Sequence, residues 1–342
     1  AASYVFKIQE DTYVFDHYKD ELYVISTNLF SDTSKSQLEA KVNQRIDDLK
    51  NINLAYEKIE LEIAERQIKT NIREKEFLQI ITELKRKIAE GDMFQVVPSR
   101  IYFYKHHFAA HLQQLSFQLY QKLKRQNPSP YMYYLNKSIP IVVGSSPESF
   151  VKVKDGLVYT NPIAGTTKRG ANKDEDMKNS HALLNDEKER SEHSMLVDLG
   201  RNDIHRISKI GTSKITKLME IEKYEHVMHI VSEVVGELKD NLSPMSVIAS
   251  LLPTGTVSGA PRLRAIQRIY EAYPFKRGIY SGGVGYINCN NNLDFAVAIR
   301  TMLIDDNQVN IEAGGDVVYD SIPEKELEET KLKAKSLLEV TP

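Results

Sequence analysis

Apolar residues change their spacing several times along the chain, and these changes divide it into elements. Near the start, Tyr13-Val14-Phe15 and Leu22-Tyr23-Val24-Ile25 flank the polar stretch Asp16 to Asp20, a pattern that predicts an antiparallel hairpin. From Lys35 to Glu90 the texture turns to long, charged, helix-forming segments. Within it Phe77, Ile80, Ile81, Leu84 and Ile88 recur at helical spacing, and Gly91 stands where a C-cap glycine would. Phe94 to Val97 reads as a strand closed by Pro98, His111 to Lys124 as a helix, and Asn127-Pro128-Ser129-Pro130 as a loop. Tyr131 to Leu135, Ile139 to Val143, Ser149 to Val153 and Leu157 to Thr160 read as strands of a meander. A loop is expected over Asn161 to Arg169, then a helix to about Leu199. Further helices are expected over Tyr224 to Leu238, after Pro261 and from Pro323, with strands at Gly283 to Asn288, Phe295 to Leu303 and Val309 to Ala313. Adjacent strands interrupted by helices, without regular β-α-β alternation, predict an α+β fold with large antiparallel sheets.

Composition narrows the function classes. Forty-five basic residues against 47 acidic ones in 342 supply no global field for gripping nucleic acid or an anionic membrane, so binding must come from specific pockets. One cysteine, Cys289, excludes an internal disulfide framework and a thiolate zinc site, and suits a reducing compartment; the cytoplasm is expected. No apolar run approaches the ~20 residues of a membrane-spanning helix. The start has no signal-peptide pattern and no methionine, which suggests a beginning cut from a longer protein.

Candidate chemistry concentrates in two glutamate pairs, Glu189 with Glu192 and Glu326 with Glu329. Each is spaced by three in a helical stretch, which places both carboxylates on one helix face. With Arg300 at a strand end, the Gly314-Gly315 pair and His229, this inventory suits a hard cation held against a carboxylate-bearing small molecule. Each pair alone also fits a solvated helix face, and His229 a packed core residue. Glu148, in a loop beyond a strand, sits where burial can lift a carboxyl's pKa into a useful range. Gln95, among Phe94, Val96 and Val97, is a buried amide that needs partners. No phosphate loop, dinucleotide fingerprint, HExxH pair or nucleophile elbow is present.

Ten ordered stretches carry a resemblance. Among them are GDMFQVVPSR (Gly91 to Arg100), GSSPES (Gly144 to Ser149), NPIAGTTKRG (Asn161 to Gly170), SEHSMLVDLGRND (Ser191 to Asp203), GIYSGGVGYI (Gly278 to Ile287) and EAGGDVVYDSIPEKELEETKLKA (Glu312 to Ala334). Through them the sequence resembles the chorismate-utilising enzymes, and most closely the anthranilate synthase component I family. The resemblance implies a two-lobed α+β sandwich of stacked antiparallel sheets with helices outside. Residues 1–80 would be a remnant of an N-terminal regulatory part, and 81–342 the chorismate-binding catalytic domain.

By resemblance, magnesium (Mg2+) is held by Glu192 and Glu329, with Glu189 and Glu326 close behind. Gly165, Thr166, Gly314, Gly315 and Lys333 grip the ring carboxylate, while Tyr280 and Arg300 take the enolpyruvyl carboxylate, with Thr256 close by. Glu148 corresponds to the general acid at the C4 hydroxyl, and His229 to the residue needed when pyruvate is expelled. Ala164 replaces the lysine nucleophile of aminodeoxychorismate synthases. Gln95 replaces the water-activating lysine of isochorismate and salicylate synthases, which points to ammonia as the attacker. The family draws that ammonia from glutamine through a partner glutaminase, and makes anthranilate for tryptophan biosynthesis. Asn127, Pro130, Tyr131 and Met132 match half of the family's tryptophan pocket while the N-terminal segment that supplies the other half is missing, so the chain is expected to respond weakly or not at all to tryptophan. Asp316 departs from the family's usual glycine and should weaken binding unless it turns away or meets a cation; Arg262 replaces a common lysine. Another chorismate enzyme, or a silent scaffold docking a glutaminase, stays open as an alternative.

Overall fold

The computed structural model describes residues 5–29, 32–52, 67–108, 111–136, 140–224, 227–273 and 275–340. The chain divides into two compact units, Ala1–Glu60 and Leu61–Pro342. The first contains the expected hairpin, β1 (Asp11–Asp16) paired with β2 (Glu21–Ser26), and helix α1 (Lys35–Lys50), started by a capping box of Ser34 and Gln37. Residues 53–66, inside the stretch read as helical, lie outside the described residues.

The second unit is α+β, with two large antiparallel sheets flanked by helices. A six-stranded sheet runs in the order β3 (Lys69–Thr70), β5 (Ser99–Lys105), β17 (Gln308–Gly314), β16 (Thr301–Ile304), β7 (Ile141–Ser146), β6 (Tyr131–Leu135). A seven-stranded sheet follows the path β10 (Ile163–Lys168), β12 (Val227–Glu237), β9 (Leu157–Thr160), β8 (Ser149–Lys154), β15 (Leu293–Val297), β14 (Gly283–Ile287), with β11 (Lys214–Lys223) also on β12. A short pair joins β4 (Gln95–Val96) to β13 (Gly259–Ala260). The helices are α2 (Glu74–Ala89), α3 (Leu112–Gln126), α4 (Lys173–Asn185), α5 (Glu187–Ile207), α6 (Pro244–Leu251), α7 (Arg262–Ala272) and α8 (Pro323–Leu338). One core packs Val197 and Ile204 of α5 and Val247 of α6 with Val151, Val234 and Phe295 of the seven-stranded sheet. A second packs Phe77, Ile81 and Leu84 of α2 with Val96, Ala265, Ile269 and Leu327. Among the described residues no helix is long and apolar enough to cross a membrane.

Several elements differ from the sequence reading. The segment read as a helix over Tyr224 to Leu238 is strand β12, and His229 sits on it. Its run of β-branched residues, Val227, Ile230, Val231, Val234 and Val235, suits a strand covered on both faces, where apolar residues need not alternate. His226 lies outside the described residues. The expected loop Asn161 to Arg169 contains β10, whose register slips between Ala164 and Thr166, where Gly165 adopts φ +68°. The helix expected to run to about Leu199 is two helices meeting at Asp186. That residue ends α4, and its carboxylate caps α5 by accepting from the N–H groups of Lys188 and Glu189.

The meander divides between the two sheets, since β7 belongs to the six-stranded sheet and β8 to the seven-stranded one. The single strand expected from Phe295 to Leu303 likewise breaks into β15 and β16 on different sheets. The chain therefore crosses between sheets at Pro147-Glu148 and again at Ala298 to Arg300. These crossings are tied to each other: Val297 N–H donates to Glu148 O at 3.0 Å and Ser145 N–H to Arg300 O at 3.1 Å. The Ser146 hydroxyl adds a bond to Val297 O at 2.7 Å.

Candidate active site

At these crossings the unit encloses a cavity of about 240 Å³. Of the residues singled out in the sequence, Gln95, Glu148, Thr166, Glu192, Thr256, Tyr280, Arg300, Gly314 and Lys333 line it, although they come from segments up to 238 positions apart. Ile163, Leu196, Val257 and Ile299 provide apolar wall.

Arg300 follows from the second crossing. Its backbone adopts φ +48°, sparsely populated by non-glycine residues, and such an outlier in a cavity wall points toward function. Among the described residues its guanidinium makes no hydrogen bond or ion pair, although it lines the cavity. Burial lowers its pKa, and Tyr280 and Glu329 partly oppose that effect. Its guanidinium donors are therefore free to meet an anion.

Glu148 stands at the other crossing. Burial pushes its carboxyl up to about 7, the Thr256 hydroxyl pulls partly back, and Asp316 adds to the rise. A carboxyl of that kind keeps its proton close to neutral pH and can give it to a leaving oxygen.

The acidic pairs arrive on α5 and α8. Glu189 and Glu326 fall in the first turns of their helices, where the N-terminal dipole favours negative charge. Burial, then Asp316 and Glu189, lift Glu192 to about 7. Burial together with Glu329 and Asp316 also raises Glu326, whose Oε2 is buried without a hydrogen-bond partner. Glu329 pairs with Lys333 at 2.6 Å. Among the described residues no three His, Cys, Asp or Glu side chains stand together as a ready-made metal cage. The donor set nevertheless fits a hard cation: it consists of carboxylate oxygens, one of them orphaned, and a divalent ion would relieve their repulsion.

Glycines bring backbone close to this group. A Cβ on Gly165 would lie 3.1 Å from Glu189 Oε2, and one on Gly314 only 2.6 Å from the Tyr280 hydroxyl, so a side chain at Gly314 has no room. Gly315 lies against Glu326, where a Cβ would come within 2.9 Å of its backbone oxygen. The Tyr280 phenol is buried, which raises its pKa, and its ring carries the Arg277 guanidinium at 5.4 Å.

His229 does not line the cavity but touches a residue that does. Its Nδ1 lies 3.1 Å from Gly165 O and 3.1 Å from the Thr166 hydroxyl. The carbonyl can only accept, so Nδ1 carries the proton and the lone pair is on Nε2. Burial lowers the histidine's pKa and keeps the ring neutral. The buried amide of Gln95 finds one partner, Nε2 donating to Asp316 Oδ1 at 3.1 Å, while its Oε1 has none.

Asn127, Pro130, Tyr131 and Met132 lie at or before edge strand β6 and are absent from the cavity wall. Asn127 O accepts from the Ser145 hydroxyl at 2.6 Å, and the Tyr131 hydroxyl donates to Asp294 at 3.1 Å. Sequence reasoning passed over Glu312, which lines the cavity and is pushed up to about 7 by burial against the pull of Ser99 and Arg277. Its signal was the alternation of β17: Val309, Ile311 and Ala313 take one face, so Glu312 falls on the other. Asp316, noted as a departure, meets a cation: it lies 3.5 Å from Lys333 Nζ. Arg262 donates from Nη2 to both carboxylate oxygens of Asp203 and from Nη1 to Leu251 O, a structural role away from the cavity.

Comparison with known proteins agrees with this geometry. The family described as chorismate binding enzyme matches residues 2–339. Anthranilate synthase component 1 of Lactococcus lactis is 43% identical over 335 residues, which cover 98% of this chain and 72% of that protein. The same component of Acetivibrio thermocellus is 40% identical over 348 residues, covering 97% and 68%. The crystal structure of anthranilate synthase component I from Streptococcus pneumoniae TIGR4 superposes with a TM-score of 0.85 at 40% identity, covering 96% of this chain and 72% of that one. The chain therefore belongs to the chorismate-binding enzymes, within the anthranilate synthase component I family.

Proposed function

We propose that this chain is the aminating subunit of an anthranilate synthase, converting chorismate and ammonia to anthranilate, pyruvate and water. The observation that carries this reading is the pairing, in one cavity, of a proton-holding Glu148 with an unengaged Arg300, on crossings that are hydrogen-bonded to each other.

Arg300, with Tyr280 beside it, takes the enolpyruvyl carboxylate through its free donors. Gly165, Gly314 and Gly315 bring backbone, and Thr166 a hydroxyl, toward the ring carboxylate, with Lys333 supplying charge. Glu192 and Glu329 would hold magnesium, backed by Glu189 and Glu326. When bound, the ion neutralises the ring carboxylate and makes the ring more electrophilic.

Ammonia adds at C2, the ring double bond shifts, and the C4 oxygen leaves as water with the proton from Glu148; the added nitrogen then sheds one proton, which balances the one Glu148 gives. Ammonia brings its own lone pair, so Gln95, which cannot act as a base, and Ala164, which cannot form a covalent bond, are compatible with this attacker. The C2 proton is then lost as enolpyruvate departs from C3, the ring aromatises, and the enolpyruvate takes up a proton at carbon to become pyruvate. His229 supports that step as a positioning residue, its protonated Nδ1 meeting Gly165 O and the hydroxyl of Thr166, which lines the cavity. A glutaminase partner would supply the ammonia.

The test is incubation with chorismate, Mg2+ and an ammonium salt, followed by fluorescence. Anthranilate formation, abolished in Glu329→Gln, is expected. Isochorismate as the product, or no turnover, would reject the reading.

A further inference from the structure

Among the described residues two cations line the cavity, and they are not in the same state. Arg300 is free, as described above. An ammonium has three protons to donate, and around Lys333 stand three acceptors: Glu329 at 2.6 Å, the carbonyl of Gly314 at 3.1 Å and Asp316 at 3.5 Å. Asp316 is steadied at this position, because Gln95 donates to its Oδ1 at 3.1 Å and its backbone oxygen accepts from the Ser321 hydroxyl at 3.2 Å. An anion belonging to the protein is thus seated on a cation inside the substrate cavity.

We propose that Asp316 is a built-in competitor for the substrate's carboxylate, standing beside Glu329 on Lys333 so that the substrate's anion must displace a charge of the protein's own from that side of the ammonium. The inference rests on the chorismate reading above and makes Asp316 a determinant of affinity. A dicarboxylate entering this cavity meets the Asp316 carboxylate beside Lys333 as well as its two receptors. The same negative charge attracts a divalent cation to the acidic groups of α5 and α8. Asp316 therefore acts on the two ligands with opposite sign, weakening the anion and strengthening the cation.

That opposition separates the proposal from a structural role. Asp316→Asn keeps the shape and the acceptor for Gln95 but removes the charge. In calorimetric titrations of folded protein without metal, chorismate should bind on the order of tenfold more tightly to Asp316→Asn, the scale of one contact with a charged group. Manganese alone, followed by electron paramagnetic resonance, should bind several-fold more weakly. Asp316→Gly should move both affinities in the same directions, and thermal melts establish that each variant is folded. Chorismate affinity unchanged or weakened in a folded variant overturns the proposal, as does a failure of both variants to fold, since Asp316 would then be an anchor. Tighter binding without anthranilate production by the native chain retains this inference and removes the reaction assigned above. Absence of any chorismate binding removes both.

Discussion

Asp176 and Glu148 are both sheltered carboxylates, and the chain handles them in opposite ways. Asp176, at the start of α4, has a side chain only 6% exposed, contacted by the Arg169 guanidinium, at 2.6 Å from Nη2, and by the Gly170 N–H, also at 2.6 Å. Lys223 approaches within 3.6 Å. These partners, Arg169 above all, hold its carboxyl well below the usual carboxylate range. Glu148 has no such cation in contact, and burial lifts its carboxyl to about 7. One region neutralises its acid to lock a loop onto a helix. The other leaves acids under-satisfied, and protein groups left wanting partners in a cavity are groups prepared for a ligand.

The largest effect should come from breaking the second arrangement. Glu148→Gln removes the proton donor and keeps the shape, so kcat should fall by roughly 10²–10⁴-fold with KM little changed, as steady-state kinetics would read. The native enzyme should in turn lose activity as pH rises through about 7, because Glu148 serves as an acid only while protonated. Breaking the first arrangement should do the reverse. In Asp176→Asn the thermal midpoint should drop by several degrees while the kcat of the folded fraction stays put.

Glu312→Gln sharpens the contrast more quietly. Glu312 binds its proton more tightly folded than unfolded, its carboxyl pushed from the ordinary 4.5 up to about 7, so its contribution to stability is fully present below about 4.5 and lost as pH rises through 7. The variant should melt like the native chain at pH 4.5 and be more stable at pH 8, by on the order of 3 kcal/mol if the shift is realised in full. Equal melting at both pH values would show that the carboxyl is solvated after all.

The sequence made the acidic pairs legible because helix geometry is local: a spacing of three places two carboxylates on one face whatever the rest of the chain does. It did not make Lys333 legible as the partner of Asp316, since that ion pair depends on how α8 packs against β17. His229 was assigned to a helix because a strand covered on both faces loses the period of two that identifies strands. Arg300 was legible as a strand-end arginine, but its left-handed backbone and the change of sheet around it arise from tertiary structure. The loop reading of residues 161–169 failed at Gly165, which interrupts the pattern of β10 without ending the strand.

The paired crossings carry a consequence for how such a site can change. Glu148 and Arg300, the acid and the anion receptor of the proposed reaction, hang from one knot of main-chain bonds, so their spacing is set by backbone rather than by side-chain packing. Gln95, Ala164 and Asp316 line the same cavity from other positions, so in the proposed reaction they can be exchanged to alter which molecule attacks and how firmly the substrate sits, while the span between Glu148 and Arg300 stays built into the backbone.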